Sequence, residues 1–441
     1  MITRSVFSYR IDNRLIAAHD ALQKLSEVLS VSKISHPLVI ASKGATQNGI
    51  TEAVVRATGI PVDQVGLSQQ IQSECTTNRV TRIASQFTAG HHDALIAVGG
   101  ASVIDTAKAV RLLLTTGTED VSAYCGIRQL EQSEISLIAI PTTIGIGSEA
   151  SSSAIIRSSR SGRKLLFCSP TLIPNVTIID PATTRSLQSM QLATGGLTSL
   201  ALAIDSATAL GTNPLSIELA TRAMYLIFTW ASRAVSMPID SEARLQLAVA
   251  SYLVGQSCSH SRAASVQAIA NAICAVSSIQ YTQAVSILSP YVIDYHLHKT
   301  EPILTQLFER IEKLELLHRE QQLELGFKEE QEQITEKHVK SASMFIDTVN
   351  ILTENLRHIL QHTLPTRFYD ILDSNGSKAV LPAQFAAIAS IAQHDAAMFG
   401  AQEEMESQDI VRLLESSYWG YSLDKHTIRS GHQKTPSQEY Q

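Results

Sequence analysis

This chain is poor in several things, and each shortage excludes a class of protein. A basic balance is missing: 35 Lys and Arg stand against 41 Asp and Glu, a formal net charge of −6. Nothing electrostatic therefore recommends nucleic acid or an anionic membrane surface as a partner. Cysteine is scarce and scattered, at Cys75, Cys125, Cys168, Cys258 and Cys274, with no CxxC pair. Neither a zinc site nor a disulfide framework is expected, and the thiols read as buried groups in a reducing compartment. Long apolar runs are absent too. None reaches the roughly 18 uncharged residues of a membrane helix. The opening MITRSVFSYRIDNRL is broken by charges and has no apolar core of signal-peptide length. A cytoplasmic location is the expectation. No Ser-His-Asp signature, P-loop lysine or HExxH occurs, so hydrolase and kinase chemistry have no support.

What the chain does have is apolar mass. Hydrophobic residues make up 44% of 441, enough for a large packed core, and the length suggests two domains of roughly 100–200 residues. Over about residues 1–183, short β-branched runs alternate with helical patterns. Leu38-Val39-Ile40-Ala41 follows His36-Pro37 and leads into Ser42-Lys43-Gly44, then a helix from Gly49 to Ala57 and a second strand near Val65. Ala94–Val98 is a third strand, stopped at Gly99-Gly100, and Ile135–Ile140 a fourth, stopped at Pro141. This alternation predicts a parallel sheet with helices on both faces.

After Asp180-Pro181 the texture changes to long Ala-, Leu- and Ser-rich stretches with almost no strand signal, predicting an all-helical domain over 184–421. Within it, about 301–340 is a charged helical insertion. Leu304, Leu307, Ile311 and Leu314 form a short stripe there that fades at His318 and Gln321, predicting a protruding helix or hairpin, with a partner-binding coiled coil as the other reading. Residues 422–441 are polar and read as a disordered tail.

Two loops carry chemistry. Gly99-Gly100-Ala101-Ser102 ends a strand and opens a helix, so its backbone can turn tightly and its N–H groups and helix dipole suit a pyrophosphate. The same glycines would serve any tight strand–helix turn. Pro141-Thr142-Thr143-Ile144-Gly145-Ile146-Gly147-Ser148-Glu149 also follows a strand and packs hydroxyls and small residues together. Two such loops on neighbouring strands are what a nucleotide site at the carboxyl edge of a sheet requires.

The segments IAVGGASVIDTAKA, IPTTIGIGSEAS, LIPNVTIIDPATT, GGLTSLALAID, SIELATRAMYLI and LPTRFYDI resemble, in order, the iron-containing (group III) alcohol dehydrogenases, relatives of dehydroquinate synthase. The resemblance implies a Rossmann-like dinucleotide domain, a helical domain, and a cleft between them for a nicotinamide nucleotide and a catalytic metal. It also makes a homo-oligomer an expectation. By position it assigns nucleotide contacts to Gly99, Gly100, Ser102, Asp105, Thr142, Thr143 and Lys164. Ala101 replaces the family's third glycine. Ser42 stands where NAD-preferring members carry an acid, so a 2′-phosphate would meet no repulsion.

The metal half departs from the family. Its ligand helix has Asp and His four apart; here those positions hold Thr198 and Leu202. Its two later ligand histidines, fourteen apart with a third between them, correspond to Gln267, Asn271 and Tyr281. Leucine donates nothing to a metal, and threonine, glutamine and tyrosine are poor substitutes, so no bound iron or zinc is expected. His358 and His362 share i,i+4 spacing but lack a third donor nearby. Two function classes follow. One is a non-catalytic or strongly weakened relative that keeps NAD(P)(H) binding, with a protein partner at 301–340. The other is a metal-independent oxidoreductase acting on a small alcohol or aldehyde, with Tyr281 as proton donor.

Overall fold

The computed structural model describes residues 7–10, 12–71, 75–128, 130, 132–261, 265–324 and 341–423. Among the described residues nine strands lie in the N-terminal part: β1 Arg14–Ala17, β2 Pro37–Ser42, β3 Gly66–Ile71, β4 Ala94–Gly99, β5 Gly126–Ile127, β6 Ser136–Pro141, β7 Ser153–Arg157, β8 Lys164–Cys168 and β9 Val176–Ile179. Six of them form a parallel sheet in the order β1-β9-β6-β4-β2-β3. Helices α1 Leu25–Val31, α2 Lys43–Gln47, α3 Ile50–Ala57, α4 Thr77–Ala89 and α5 Ala101–Thr116 connect and cover it.

The central strands β2, β4 and β6 are almost continuously apolar and buried because both faces of the sheet are covered there. Leu38 and Ile40 of β2 pack on one side with Ile83, Ile104 and Val110 of α4 and α5. Val39 and Ala41 pack on the other with Leu25, Leu29 and Val54 of α1 and α3. The parallel sheet expected from the sequence is the observed one. A small second sheet, β5-β8-β7, was not legible in the sequence: its strands are short and only partly buried.

Beyond the Pro181–Thr184 turn the described chain is helical: α6 Ser189–Thr208, α7 Pro214–Ser236, α8 Ser241–Ser261, α9 Ser265–Val276, α10 Tyr281–Glu324, α11 Ala342–Ile359, α12 Phe385–Gln393 and α13 Ser407–Trp419. Alanines and serines along α6, α7 and α8 let these helices pack closely in one core with α10 and α11. A second core joins α9, the start of α10, α12 and α13.

The stripe on α10 has a different role from the expected protrusion. Leu304, Leu307 and Ile311 are buried in the main helical core, with Leu314 packed against it. Its apolar spacing is satisfied within this domain, facing the neighbouring helices. The remainder of the charged insertion, 325–340, and most of the expected tail, 424–441, lie outside the described residues. No described helix is long and apolar enough to cross a membrane.

Candidate nucleotide site and metal-ligand positions

The carboxyl edge of the sheet brings Ser42, Gly99, Gly100, Thr142 and Thr143 together. Gly100 N-caps α5 in an extended conformation, and Ala101 and Ser102 form the first turn. The first turn of a helix has N–H groups without intrahelical partners, which suits an anion. The space above this turn depends on glycine. A Cβ at Gly99 would lie 2.5 Å from Val103 Cγ2 and 3.3 Å from Ser42 Cβ; one at Gly100 would lie 2.6 Å from Thr143 Oγ1. Ser42, Gly99, Gly100 and Thr143 therefore line one rim. Thr142 is buried beside them and donates its N–H to the Gly99 carbonyl at 3.0 Å. Ser42 is already engaged, its Oγ accepting from Ala45 N at 3.0 Å as the cap of α2. Lys164 begins β8, on the hairpin that faces Asp395.

Asp105 is placed differently from the expected nucleotide contact. Its carboxylate is buried, accepting from Ser148 Oγ and from Ile155 N (2.9 Å), with Lys108 Nζ 3.9 Å away. Burial raises its pKa. Lys108 is wholly buried and donates to Ser151 O (2.8 Å), Ser151 Oγ (3.0 Å) and Ser153 O (2.7 Å). Burial lowers its pKa to about 8 and raises that of neighbouring Glu149 to about 7. This interior network ties α5 to the loop after β6. The loop is also fastened to the helical domain: Gly145 N donates to Ser251 Oγ (3.0 Å), and Ser199 Oγ donates to Gly145 O (2.9 Å).

In the helical part, α6, α8, α9 and α10 converge. Thr198 is fully buried and its hydroxyl is spent on backbone carbonyls, Thr194 O at 2.7 Å and Thr282 O at 3.3 Å. Leu202 is buried in the helical core, with Cys258 Sγ against its carbonyl. Gln267 is half-buried on α9. Asn271 donates to Asp395 Oδ2 at 3.4 Å and keeps a buried Oδ1 with no partner. The Tyr281 hydroxyl is also buried and unpartnered. Burial pushes its pKa well above the usual phenol range, and the surrounding groups Cys274, Asp205, Cys258 and Asp395 push it further. A phenol in this setting holds its proton. Among the described residues no group of three or more His, Cys, Asp or Glu is arranged to hold a metal ion. His358 and His362 are not stacked on one helix: α11 ends at Ile359 and His362 has φ +61.

Residues 12–181 match the family described as iron-containing alcohol dehydrogenase, and residues 192–418 its C-terminal domain. The chain belongs to the iron-containing alcohol dehydrogenase family. The probable alcohol dehydrogenase EutG of Salmonella typhimurium is 30% identical over 263 residues, spanning 60% of this chain and 66% of that protein. The NAD-dependent methanol dehydrogenase of Bacillus methanolicus is 29% identical over 269 residues, 60% of this chain and 69% of that one. Among solved structures, an alcohol dehydrogenase from Oenococcus oeni superposes with a TM-score of 0.78 at 19% identity, covering 94% of this chain and 100% of the other. A sulfoacetaldehyde reductase from Bifidobacterium kashiwanohense in complex with NAD+ gives 0.75 at 18% identity, covering 93% and 98%. At these identities the structural likeness establishes the iron-containing dehydrogenase fold.

Two features of this member escaped the sequence reading. Asp395 reaches Asn271 from a segment remote in the chain, and Arg185 docks on the α2–α3 turn. Neither forms a motif; their only sequence signal is a lone charge in an otherwise small or apolar stretch.

Proposed function

We propose that this family member binds NAD(P)(H) without supporting metal-dependent alcohol oxidation, and acts as a non-catalytic or strongly weakened relative. The observation that carries the reading is Leu202, a buried apolar side chain where the family places a ligand histidine. Together with Thr198, whose hydroxyl already serves backbone carbonyls, the donor set does not fit iron or zinc. In the family the metal supplies the Lewis acidity that stabilises an alkoxide, an effect of several kcal/mol on the barrier.

The nucleotide half is supported by the glycine-walled rim at Gly99 and Gly100, the hydroxyls of Ser102, Thr142 and Thr143, and the nearby Ser42, with Lys164 assigned by resemblance alone. Asp105 supports the site from behind through Ser148. The metal-independent reductase reading fares worse on electrostatics. Proton donation by Tyr281 would leave a buried phenoxide among acidic neighbours, with no cation among the described groups that shift it.

Titration of the purified, metal-stripped protein with NADH and NADPH tests the proposal, followed by an aldehyde screen with and without added iron or zinc. Micromolar nucleotide binding without aldehyde-dependent turnover in either condition is expected. Turnover that rises with added metal would overturn it.

A further inference from the structure

The nucleotide rim closes into a ring, and the residue that closes it is Arg185. Starting at Ser42, the rim passes to Gly99, whose added Cβ would lie 3.3 Å from Ser42 Cβ. Gly99 O accepts from Thr142 N at 3.0 Å. The preceding Pro141 O accepts from Thr183 Oγ1 at 2.7 Å. Two residues later, Arg185 extends its guanidinium to Asn48 O at 3.1 Å, at the end of the α2 that Ser42 caps.

The turn bearing Arg185 is held firmly. Arg244, only 3% exposed, donates to Thr184 O on one side of Arg185 and to Leu187 O (2.9 Å) on the other. Thr184 Oγ1 is tied to Pro181 O at 3.0 Å. The Arg185 side chain itself is exposed and borders a cavity of about 270 Å³ shared with His19, Asp20, Asp180 and Ala182. Two carboxylates are engaged at this edge, while Asp20 lines the cavity on the side away from Asn48. Asp180 accepts from Leu22 N (3.0 Å) and Ala182 N (2.9 Å), and nearby Glu242 pairs with His19 at 3.0 Å.

The geometry points to Arg185 as the seat of a ribose 2′-phosphate, which makes NADP(H) the preferred nucleotide class of this chain. The inference rests on the nucleotide-binding reading above. A dinucleotide with its pyrophosphate at Gly99–Ser102 places its adenosine within this ring. Ser42 brings no charge to repel a second phosphate. Arg185 uses one N–H on Asn48, and its planar fork has further donors suited to phosphate oxygens. The clamp by Arg244 fixes the backbone from which that fork projects, so little ordering is required on binding.

Calorimetric titration of the full-length protein with NADPH and NADH, for wild type, Arg185→Ala and Lys43→Ala, tests the assignment. Wild type is expected to favour NADPH by roughly tenfold or more. Arg185→Ala should remove most of that preference, roughly a 10- to 100-fold weakening of NADPH with NADH changed less than about twofold. Raised salt should weaken NADPH more than NADH. Equal or tighter wild-type binding of NADH overturns the inference, as does an equal loss of both nucleotides in Arg185→Ala. A loss of NADPH confined to Lys43→Ala would place the phosphate on the residue after Ser42 and overturn it as well. Absence of binding by either nucleotide to wild type would instead overturn the nucleotide-binding reading and this inference with it.

Discussion

Gly147, in the loop after β6, meets Gly255 of α8 backbone to backbone, with no space for a Cβ on either residue. Gly147 also needs its positive φ of 72°, a conformation L side chains rarely adopt. This contact fastens the hydroxyl-bearing loop to the helical domain. Gly255→Ala is expected to cost roughly 1–3 kcal/mol in urea unfolding, because both partners are backbone and cannot yield cheaply. A cost under about 0.5 kcal/mol would show that the two domains do not rely on it.

At Gly100 the constraint is space for a ligand. Its φ of −82° suits alanine, but the added methyl would lie 2.6 Å from Thr143 Oγ1 at the rim. Gly100→Ala should leave thermal stability within a few degrees of wild type while weakening nucleotide binding by about tenfold, or 1.4 kcal/mol.

Buried charge makes the stability depend on pH. Burial raises Glu149 from 4.5 to about 7, against the pull of Lys108. A carboxyl whose folded value is raised contributes stability that is full below the ordinary range and is lost as pH rises through about 7. Glu149→Gln should therefore gain on wild type between pH 5 and pH 8, by roughly 2 kcal/mol in paired urea titrations. An unchanged difference across that window would mean that Lys108 holds the carboxylate charged throughout.

Tyr281 carries a buried hydroxyl with no partner, and such a donor costs stability. Tyr281→Phe should be neutral or stabilising by about 1 kcal/mol, with nucleotide affinity retained. If the substitution instead abolished reduction of an aldehyde that wild type reduces, the hydroxyl would be catalytic and the non-catalytic reading would fall.

The proposed loss of the metal site, and the register assigned to its ligands, can be tested by rebuilding it. In the combined variant Thr198→Asp, Leu202→His, Gln267→His and Tyr281→His, four donors would converge from α6, α9 and α10. Without metal the variant should be less stable, since it buries an uncompensated carboxylate. Added Zn²⁺ should restore the melting temperature and bind one-to-one by atomic absorption. A folded variant with no zinc affinity would show that these are not the former ligand positions.

The sequence by itself determined the layered architecture, because strands covered on both faces must be continuously apolar, as Leu38–Ala41 and Ala94–Val98 are. It also located the glycine and hydroxyl loops, which depend on local backbone freedom and on position at a strand end. It could not decide what side chains do once distant segments meet. Asp105 reads as a ligand contact but turns inward to Ser148 and Ile155. The Leu304–Leu314 stripe reads as a protrusion but packs into the core, since spacing specifies an apolar face and not its partner. Asp395 beside Asn271, and Arg185 closing the rim at Asn48, join residues over a hundred positions apart. Such pairings carry no local signature. They arise only when packing brings separate surfaces together, and tertiary structure alone decides them.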